Sequence, residues 1–304
     1  MPTSQQVAAV FPGQGSQRRG MGADFCEQFT EARLAFEEAS DALALDVAAL
    51  CFEDDPRLDL TEFAQPAIVT VEIAAYRALA QTLGLEATWF GGHSLGEYAA
   101  LVAAGVLDLA AAVQLVRERG RYMQDAVPVG AGSMTAVISP GIAAAFPSGV
   151  LDGLQVDVAN LNSPDQIVLS GSAPDVEAAV ERARKVASLG KIRAIPLRVS
   201  APFHCRLMEP ARQRLEPLLL DAAPRLRASL ADRVTSNASG TWHEPDATAV
   251  ARALAEQVTA PVRWLDNMQA LGERAARVIE IGPAKPLSAF FKATGRRIEA
   301  VTDV

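Results

Sequence analysis

The sequence predicts a mixed α/β fold in which a small domain interrupts a larger one. Two short apolar runs, at 7–11 and 87–90, each end in a glycine-containing turn, as buried strands of a parallel sheet do. Between 130 and 198 the predicted elements follow the order β-α-β-β-α-β of a ferredoxin-like unit. We therefore expect a large domain formed by 1–129 and 199–304, with a ferredoxin-like small domain of residues 130–198 inserted into it.

Hydrophobic periodicity predicts the individual elements of both domains. Ile68, Val71, Ala75 and Leu79 recur at helical spacing and mark one buried face of a helix. In the large domain, helices are predicted at 23–50, 61–83, 109–124, 207–220, 247–257, 264–271 and 286–293, with one more helix ending near Val102 and a third strand at 277–281. In the small domain, strands are predicted at 134–138, 155–160, 166–170 and 192–197, and helices at 141–146 and 174–188.

Composition excludes several functional classes. The 28 basic and 36 acidic residues give a formal net charge of −8, which argues against a general affinity for nucleic acid or anionic membranes. The 3 cysteines lie far apart without metal-ligand spacing, so neither a disulfide framework nor a metal site is expected. The first residues lack the pattern of a signal peptide, and no segment is long and apolar enough to span a membrane. These features indicate a soluble, cytoplasmic protein.

A candidate nucleophile lies in the turn after the second predicted strand. Residues 92–96, Gly-His-Ser-Leu-Gly, fit the pattern G-x-S-x-G, in which a strained turn between strand and helix exposes a serine hydroxyl. The N-terminus of the following helix would also supply the Leu95 backbone N–H to a developing oxyanion. The alternative is a helix cap, because Ser94 and Glu97 also match a capping box. Glu97 itself is expected to stabilise the first helical turn.

A serine nucleophile needs a general base, and the chain has only 3 histidines. His93 is adjacent to Ser94, so the two side chains diverge, while His243 lies in a polar, turn-prone segment predicted at the surface. His204 follows a strand and a proline-fixed turn, which makes it the best candidate, although a structural histidine is the alternative. No acidic residue is clearly placed to orient this imidazole, so the orienting group need not be a carboxylate.

Several motifs together resemble one known family over nearly the whole chain. They are Phe-Pro-Gly-Gln-Gly-Ser-Gln (11–17), Gly-His-Ser-Leu-Gly-Glu-Tyr (92–98), Arg-Gly-Arg-Tyr-Met-Gln (119–124), Asn-Leu-Asn-Ser-Pro (160–164), Ala-Pro-Phe-His-Cys (201–205) and Glu-Ile-Gly-Pro (280–283). This set resembles the malonyl-CoA:acyl carrier protein transacylases. The resemblance implies an α/β-hydrolase-like large domain with a ferredoxin-like insert, and transfer of malonyl groups from coenzyme A to a carrier protein.

Carried over residue by residue, the resemblance implies a ping-pong mechanism. Ser94 would be acylated, and His204 would act first as general base and then as general acid. The backbone N–H groups of Gln14 and Leu95 would form the oxyanion hole.

The resemblance also implies roles in substrate binding. Arg119, which by itself would be read as a solvated helix charge, would bind the malonyl carboxylate. The main-chain carbonyl of Gln257 would orient the base, in place of the missing acid. Asn160 and Asn162 would line the site from the small domain, and Phe203 would limit space for an α-methyl group.

The expected partners are malonyl-CoA and an acyl carrier protein, with no metal or cofactor beyond the thioester substrate, and the protein is expected to be a monomer. The carrier could serve fatty acid or polyketide synthesis. Two alternatives stay open, an acyl-thioester hydrolase with the same Ser–His pair and a malonate decarboxylase transacylase subunit. Basic residues of the small domain, among them Lys191 and Arg193, are either a docking surface for an acidic carrier or an ordinary solvated face.

Overall fold

The computed structural model describes residues 6–304, which fold around two four-stranded sheets. Along the chain the elements are β1 (Val7–Phe11), α1 (Ala23–Gln28), α2 (Thr30–Leu43), α3 (Val47–Phe52), α4 (Thr61–Thr82), β2 (Trp89–Gly92), α5 (Gly96–Ala103), α6 (Leu109–Asp125), β3 (Gly132–Ile138), α7 (Ile142–Ala145), β4 (Val156–Ser163), β5 (Gln166–Ser172), α8 (Ala173–Arg184), β6 (Arg193–Pro196), α9 (Glu209–Ala222), α10 (Ala247–Gln257), α11 (Trp264–Arg274), β7 (Arg277–Ile281), α12 (Pro286–Ala293) and β8 (Glu299–Val301). Among these residues no helix combines the length and the apolar character that a membrane crossing requires.

The larger sheet is parallel and has the strand order β2-β1-β7-β8. Its central strand β1 pairs with β2 on one side and β7 on the other, and Ala8, Ala9, Val10 and Phe11 are fully buried. A continuous apolar sequence suits such a strand because helices cover both faces of a parallel sheet. The carboxyl ends of β1 and β2 meet at one edge, which places the turn after β1 beside the turn that contains Ser94.

The smaller sheet is antiparallel, with the strand order β4-β5-β3-β6. With α7 and α8 it has the predicted β-α-β-β-α-β order of a ferredoxin-like unit. A hydrophobic core of its own, which includes Val137, Ile167, Leu169 and Val180, lies between its strands and helices. The exact limits of the insert, 130 and 198, stay a prediction.

Strand β4 joins the small sheet to the rest of the protein. Its Leu161 N–H donates to the Val262 carbonyl over 2.9 Å, and the Val262 N–H donates to Ala159 over 2.8 Å. On the same strand, the Asp157 carboxylate accepts two kinds of hydrogen bond from Arg206, from the backbone N–H and from the guanidinium. Val262 lies shortly after Gln257, and Arg206 shortly after His204, so β4 is attached beside both residues.

The structure divides one of the predicted helices, shortens another and adds one strand. The helix predicted over 23–50 is three helices, because Phe29 is extended, Ala44 has a positive φ of 47°, and the Asp46 side chain caps a new helix at the Ala49 N–H. The helix predicted over 174–188 ends at Arg184. Strand β8, which pairs with β7, was not predicted, since only three residues form it.

Candidate active site

Ser94 occupies a sharp turn between β2 and α5. Its φ of 52° lies in the left-handed region, which is costly for a residue other than glycine. Gly92 and Gly96 allow this turn because a Cβ on either would collide with backbone, that of Gly96 in the first case and that of Phe11 in the second. The structure contradicts the capping alternative, since α5 has no side-chain cap and the Ser94 hydroxyl is directed elsewhere.

The Ser94 hydroxyl is hydrogen-bonded to His204. Ser94 Oγ lies 2.6 Å from His204 Nε2, and His204 Nδ1 lies 2.8 Å from the main-chain oxygen of Gln257. A carbonyl oxygen only accepts, so Nδ1 must carry the proton of the neutral ring, which leaves the Nε2 lone pair free to accept from Ser94. The structure thus brings together Ser94 and His204, which the sequence paired, and Gln257, whose role the family resemblance implied, and it fixes the tautomer that a general base requires.

His204 is held in its neutral form. Burial, together with the positive charge of Arg119, lowers the pKa of the imidazole from its ordinary value of 6.5 to about 3. The ring therefore carries no proton on Nε2 at neutral pH and is available as a base. The His204 backbone has a positive φ of 57°, so the position of the residue also depends on the tertiary structure around it.

Arg119, on α6, is a buried cation with no carboxylate partner. Its Nη2 donates to Ser94 Oγ over 3.0 Å and to the Gln257 side chain over 2.9 Å, and its Nη1 donates to Gln65 over 2.9 Å. The residue is 1% exposed, and within residues 6–304 no acidic group forms a salt bridge with it, while its Nε–H has no acceptor. An unpaired guanidinium at such a position is strongly suited to an anionic ligand.

Two backbone N–H groups belong to the segments around the hydroxyl: Leu95 follows Ser94 directly, and Gln14, in the turn after β1, lines the same cavity as Ser94. Within the described part of the chain, the N–H groups of Gln14 and Leu95 have no hydrogen-bond acceptor, so both remain free to bind an oxygen. The Gln14 side chain is fixed by Thr61 over 3.2 Å and by Gln65 over 3.4 Å. Free N–H groups on a fixed loop and at a helix start are what an oxyanion hole requires.

A cavity of about 620 Å³ opens onto Ser94 and His204. Its lining includes the predicted residues Gln14, Asn160, Asn162 and Phe203, together with an apolar group that sequence reasoning missed: Met134, Val168, Leu197 and Val199. The Asn162 amide oxygen lies 2.9 Å from His93 Nε2. His93 is thus turned away from Ser94 and toward the small sheet, as its adjacency to Ser94 predicts.

His243 does not lie at the surface, so that prediction is wrong. A bridge between Thr235 and Trp242 folds the segment back over α5, and His243 becomes 4% exposed. Its Nε2 lies 2.7 Å from the Glu97 carboxylate, which is fully buried. Glu97 accordingly accepts hydrogen bonds from distant residues and does not cap its own helix.

Gln65 and Asn237 are two further site residues that the sequence reasoning missed. Gln65 bridges Arg119 and Gln14, and Asn237 accepts the Ser94 N–H over 2.6 Å. For Gln65 a signal existed, because it is a polar residue among the apolar residues of α4. Asn237 lies in Thr-Ser-Asn-Ala-Ser-Gly, a segment that resembles any turn.

Known sequences and solved structures of one kind of protein match almost the whole chain. A malonyl CoA-acyl carrier protein transacylase of Bacillus subtilis is 42% identical over 303 residues, covering 97% of this chain and 92% of the relative. The crystal structure of MCAT from Streptococcus pneumoniae has a TM-score of 0.88 at 36% identity and covers 98% of this chain and 97% of that one. A complex of a type II PKS acyl-carrier protein with its malonyl-transacylase matches with a TM-score of 0.86 at 34% identity, covering 99% and 97% of the two chains.

The likeness to these structures confirms the predicted fold class, an α/β-hydrolase-like large domain with a ferredoxin-like small one. The acyl transferase domain family matches residues 9–303 and therefore includes the serine turn, the histidine and the small sheet. On the match to residues 9–303 and the relatives of more than 30% identity, this chain belongs to the acyl transferase domain family.

Proposed function

We propose that this chain transfers a malonyl group from malonyl-CoA to the phosphopantetheine thiol of an acyl carrier protein, in fatty acid or polyketide synthesis. The observation that carries the proposal is Arg119, a buried guanidinium 3.0 Å from the hydroxyl of Ser94, with no carboxylate partner in residues 6–304. A neutral acyl group gives this cation no anion to bind, whereas the malonyl carboxylate does. Relatives named malonyl CoA-acyl carrier protein transacylase support the same assignment.

Acylation begins with proton transfer from Ser94 Oγ to His204 Nε2. The oxygen attacks the thioester carbon, and the negative charge that develops on the carbonyl oxygen is stabilised by the N–H groups of Gln14 and Leu95. The imidazolium, held at Nδ1 by the Gln257 carbonyl, then gives its proton to the departing sulfur of coenzyme A. The product is a malonyl ester on Ser94, with the carboxylate on Arg119.

Transfer to the carrier repeats these steps in reverse. His204 accepts the proton of the phosphopantetheine thiol, and the sulfur attacks the malonyl ester through the same oxyanion hole. The bond to Ser94 Oγ then breaks, and His204 returns the proton to the hydroxyl. Because coenzyme A leaves before the carrier binds, the kinetics are ping-pong. We propose that the reaction needs no cofactor, since the thioester itself supplies the activated acyl group.

The small domain is the side on which we place the carrier. Its surface carries six exposed basic residues: Arg182, Arg184, Lys185, Lys191, Arg193 and Arg198. Arg198 also lines the cavity, next to the exposed Leu197. Across the described residues only Arg184 of the six forms a salt bridge, and Arg182 donates to the main-chain oxygens of Val150 and Asp152. The other four, Lys185, Lys191, Arg193 and Arg198, remain free for an acidic partner. We propose that this takes place in the cytoplasm, where the three free cysteines would stay reduced.

The proposal is tested by the intact mass of the protein after separate incubation with malonyl-CoA, methylmalonyl-CoA and acetyl-CoA. We expect a malonyl adduct that is absent from Ser94→Ala and that disappears when a holo carrier protein is added, with the malonyl group recovered on the carrier. Preferential loading of acetyl groups would contradict the role of Arg119. Rapid loss of the adduct to water without a carrier would instead indicate a thioester hydrolase.

A further inference from the structure

Asn237 lies buried directly beneath the serine turn and holds it on both sides. Its side-chain oxygen accepts the Ser94 N–H over 2.6 Å, while its Nδ2 donates to the Gly92 carbonyl over 2.8 Å. One amide group thus satisfies a donor and an acceptor of the same turn, as a neighbouring strand would. The residue is 0% exposed, so water does not compete for these hydrogen bonds.

The contacts around Asn237 require an amide at this position. Its Nδ2 also donates to the side-chain oxygen of Asn267 over 2.9 Å, and Asn267 in turn donates to the Ser236 carbonyl over 2.9 Å. Nδ2 therefore faces two acceptors and Oδ1 faces a donor, which fixes the orientation of the amide. A carboxylate of the same shape would keep the contact with the Ser94 N–H but would face two oxygens without a proton to offer.

The serine turn needs such a restraint. Ser94 has a φ of 52°, a conformation that is strained for a residue with a side chain and persists only where surrounding contacts enforce it. The Ser94 carbonyl accepts from Gln257 Nε2 over 3.0 Å, so the turn is held at its N–H by Asn237 and at its carbonyl by Gln257.

Glu97 connects this restraint to the base. One of its carboxylate oxygens accepts the Asn237 backbone N–H over 3.1 Å and Gln257 Nε2 over 2.6 Å, and the other lies 2.7 Å from His243. The main-chain oxygen of the same Gln257 holds His204. Asn237 and the residue that orients the base are therefore fixed to a single buried side chain.

We propose that Asn237 is a positioning residue of this site: its side-chain amide clamps the turn and keeps the Ser94 hydroxyl in register with His204, while its backbone N–H is fixed by the same Glu97 that holds Gln257. The clamp acts on the nucleophile whatever the acyl donor is, and only the choice of malonyl-CoA as a reagent rests on the proposed function. Asn237 touches no substrate in this scheme. Its loss should slow the reaction of Ser94 and leave substrate binding unchanged.

The test compares Asn237→Asp with the matched control Asn267→Asp. Both variants place a carboxylate in a fully buried position, but the control keeps the oxygen that accepts from Asn237 and does not contact the serine turn. The readouts are the rate of labelling of Ser94 by a fluorophosphonate and the rate of malonyl-CoA acylation, each per folded protein as judged by near-UV circular dichroism. Thermal unfolding of both variants is measured alongside.

We expect Asn237→Asp to react about 100-fold more slowly than the wild type with both reagents, with KM for malonyl-CoA unchanged, because small displacements of a reacting atom cost about this much. Asn267→Asp should stay within about threefold of the wild type despite a similar loss of thermal stability. Equal fluorophosphonate rates for the two variants would overturn the proposal.

Asn237→Ala and Asn267→Ala provide a second pair without a buried charge. If both Asn237 variants fail to fold where both Asn267 variants fold, the proposal is also overturned, because Asn237 would then serve the fold and not the position of Ser94. A wild type that reacts with the fluorophosphonate but not with malonyl-CoA would contradict the proposed function, and the fluorophosphonate rates would still decide the role of Asn237.

Discussion

Replacement of Arg119 by alanine should invert the acyl preference of this protein. In the structure the guanidinium is buried, contacts Ser94 Oγ and has no carboxylate partner among the described residues. With the arginine removed, the carboxylate of a bound malonyl group would lose its countercharge in a buried site. An acetyl group has no carboxylate and loses nothing of this kind.

The size of the loss in malonyl-CoA acylation follows from the burial of the ion pair between Arg119 and the malonyl carboxylate. Removing one partner of a buried ion pair costs about 3–5 kcal/mol. At about 1.4 kcal/mol for each factor of ten, kcat/KM for malonyl-CoA should fall by about two to nearly four orders of magnitude. For acetyl-CoA it should persist or rise, because the charge of Arg119 no longer lowers the pKa of His204, which becomes a stronger base.

The assay is the rate of acylation of Ser94 by each thioester, followed by intact mass in a rapid-quench series. Arg119→Met serves as a second variant that preserves most of the side-chain volume. Arg117→Ala is the matched control, because Arg117 lies on the same helix but is partly exposed and pairs with Glu62. Equal losses for malonyl-CoA and acetyl-CoA in both Arg119 variants would show that the arginine is structural and would refute the reasoning.

Three further predictions concern stability, selectivity and docking. Because the folded pKa of His204 is about 3, below the ordinary 6.5, the unfolded chain binds more protons between these values, so stability falls on acidification by about 1.4 kcal/mol per pH unit. Urea unfolding from pH 6.5 to 5 should show a slope in the wild type, relative to His204→Asn, that rises from about half this value at pH 6.5 to nearly the full value at pH 5, and parallel curves would contradict it. Phe203→Ala should raise methylmalonyl loading relative to malonyl by about 10–200-fold, as measured by competitive loading, since one methyl group is worth about 1–3 kcal/mol; an unchanged ratio would remove Phe203 from the selectivity of the site. Arg193→Glu should raise KM for the carrier protein without affecting malonyl-CoA acylation, whereas the exposed Arg252→Glu on α10 should change neither; equal KM values for the two variants would exclude docking at the small domain.

The proximity of Ser94 and His204 was predictable because the signals of both residues are local. Ser94 lies between glycines at the end of a buried strand. The turn there is so crowded that the chain can adopt few conformations. His204 was selected as the candidate base by exclusion of the other two histidines, one of which is adjacent to Ser94. That elimination placed His243 wrongly, although the error did not change the choice of base.

The roles implied for Arg119 and Gln257 came from the family resemblance and not from the residues themselves. An arginine on an amphipathic helix is usually solvated. Only the packing of α6 against its neighbours shows that this one is buried beside Ser94, with Gln257 on the same guanidinium. The main-chain carbonyl of Gln257 leaves no trace in sequence at all, because every residue has one.

The sequence by itself determined the two sheets, the ferredoxin-like order of the insert and the Ser94–His204 pair, because hydrophobic periodicity and turn chemistry act over a few residues. Only the tertiary structure decided how the pair is held. Glu97 and His243 lie 146 residues apart in sequence, and Asn237 lies 143 from Ser94. A buried polar group requires a partner but does not specify which one, so these partners are set by how the chain packs.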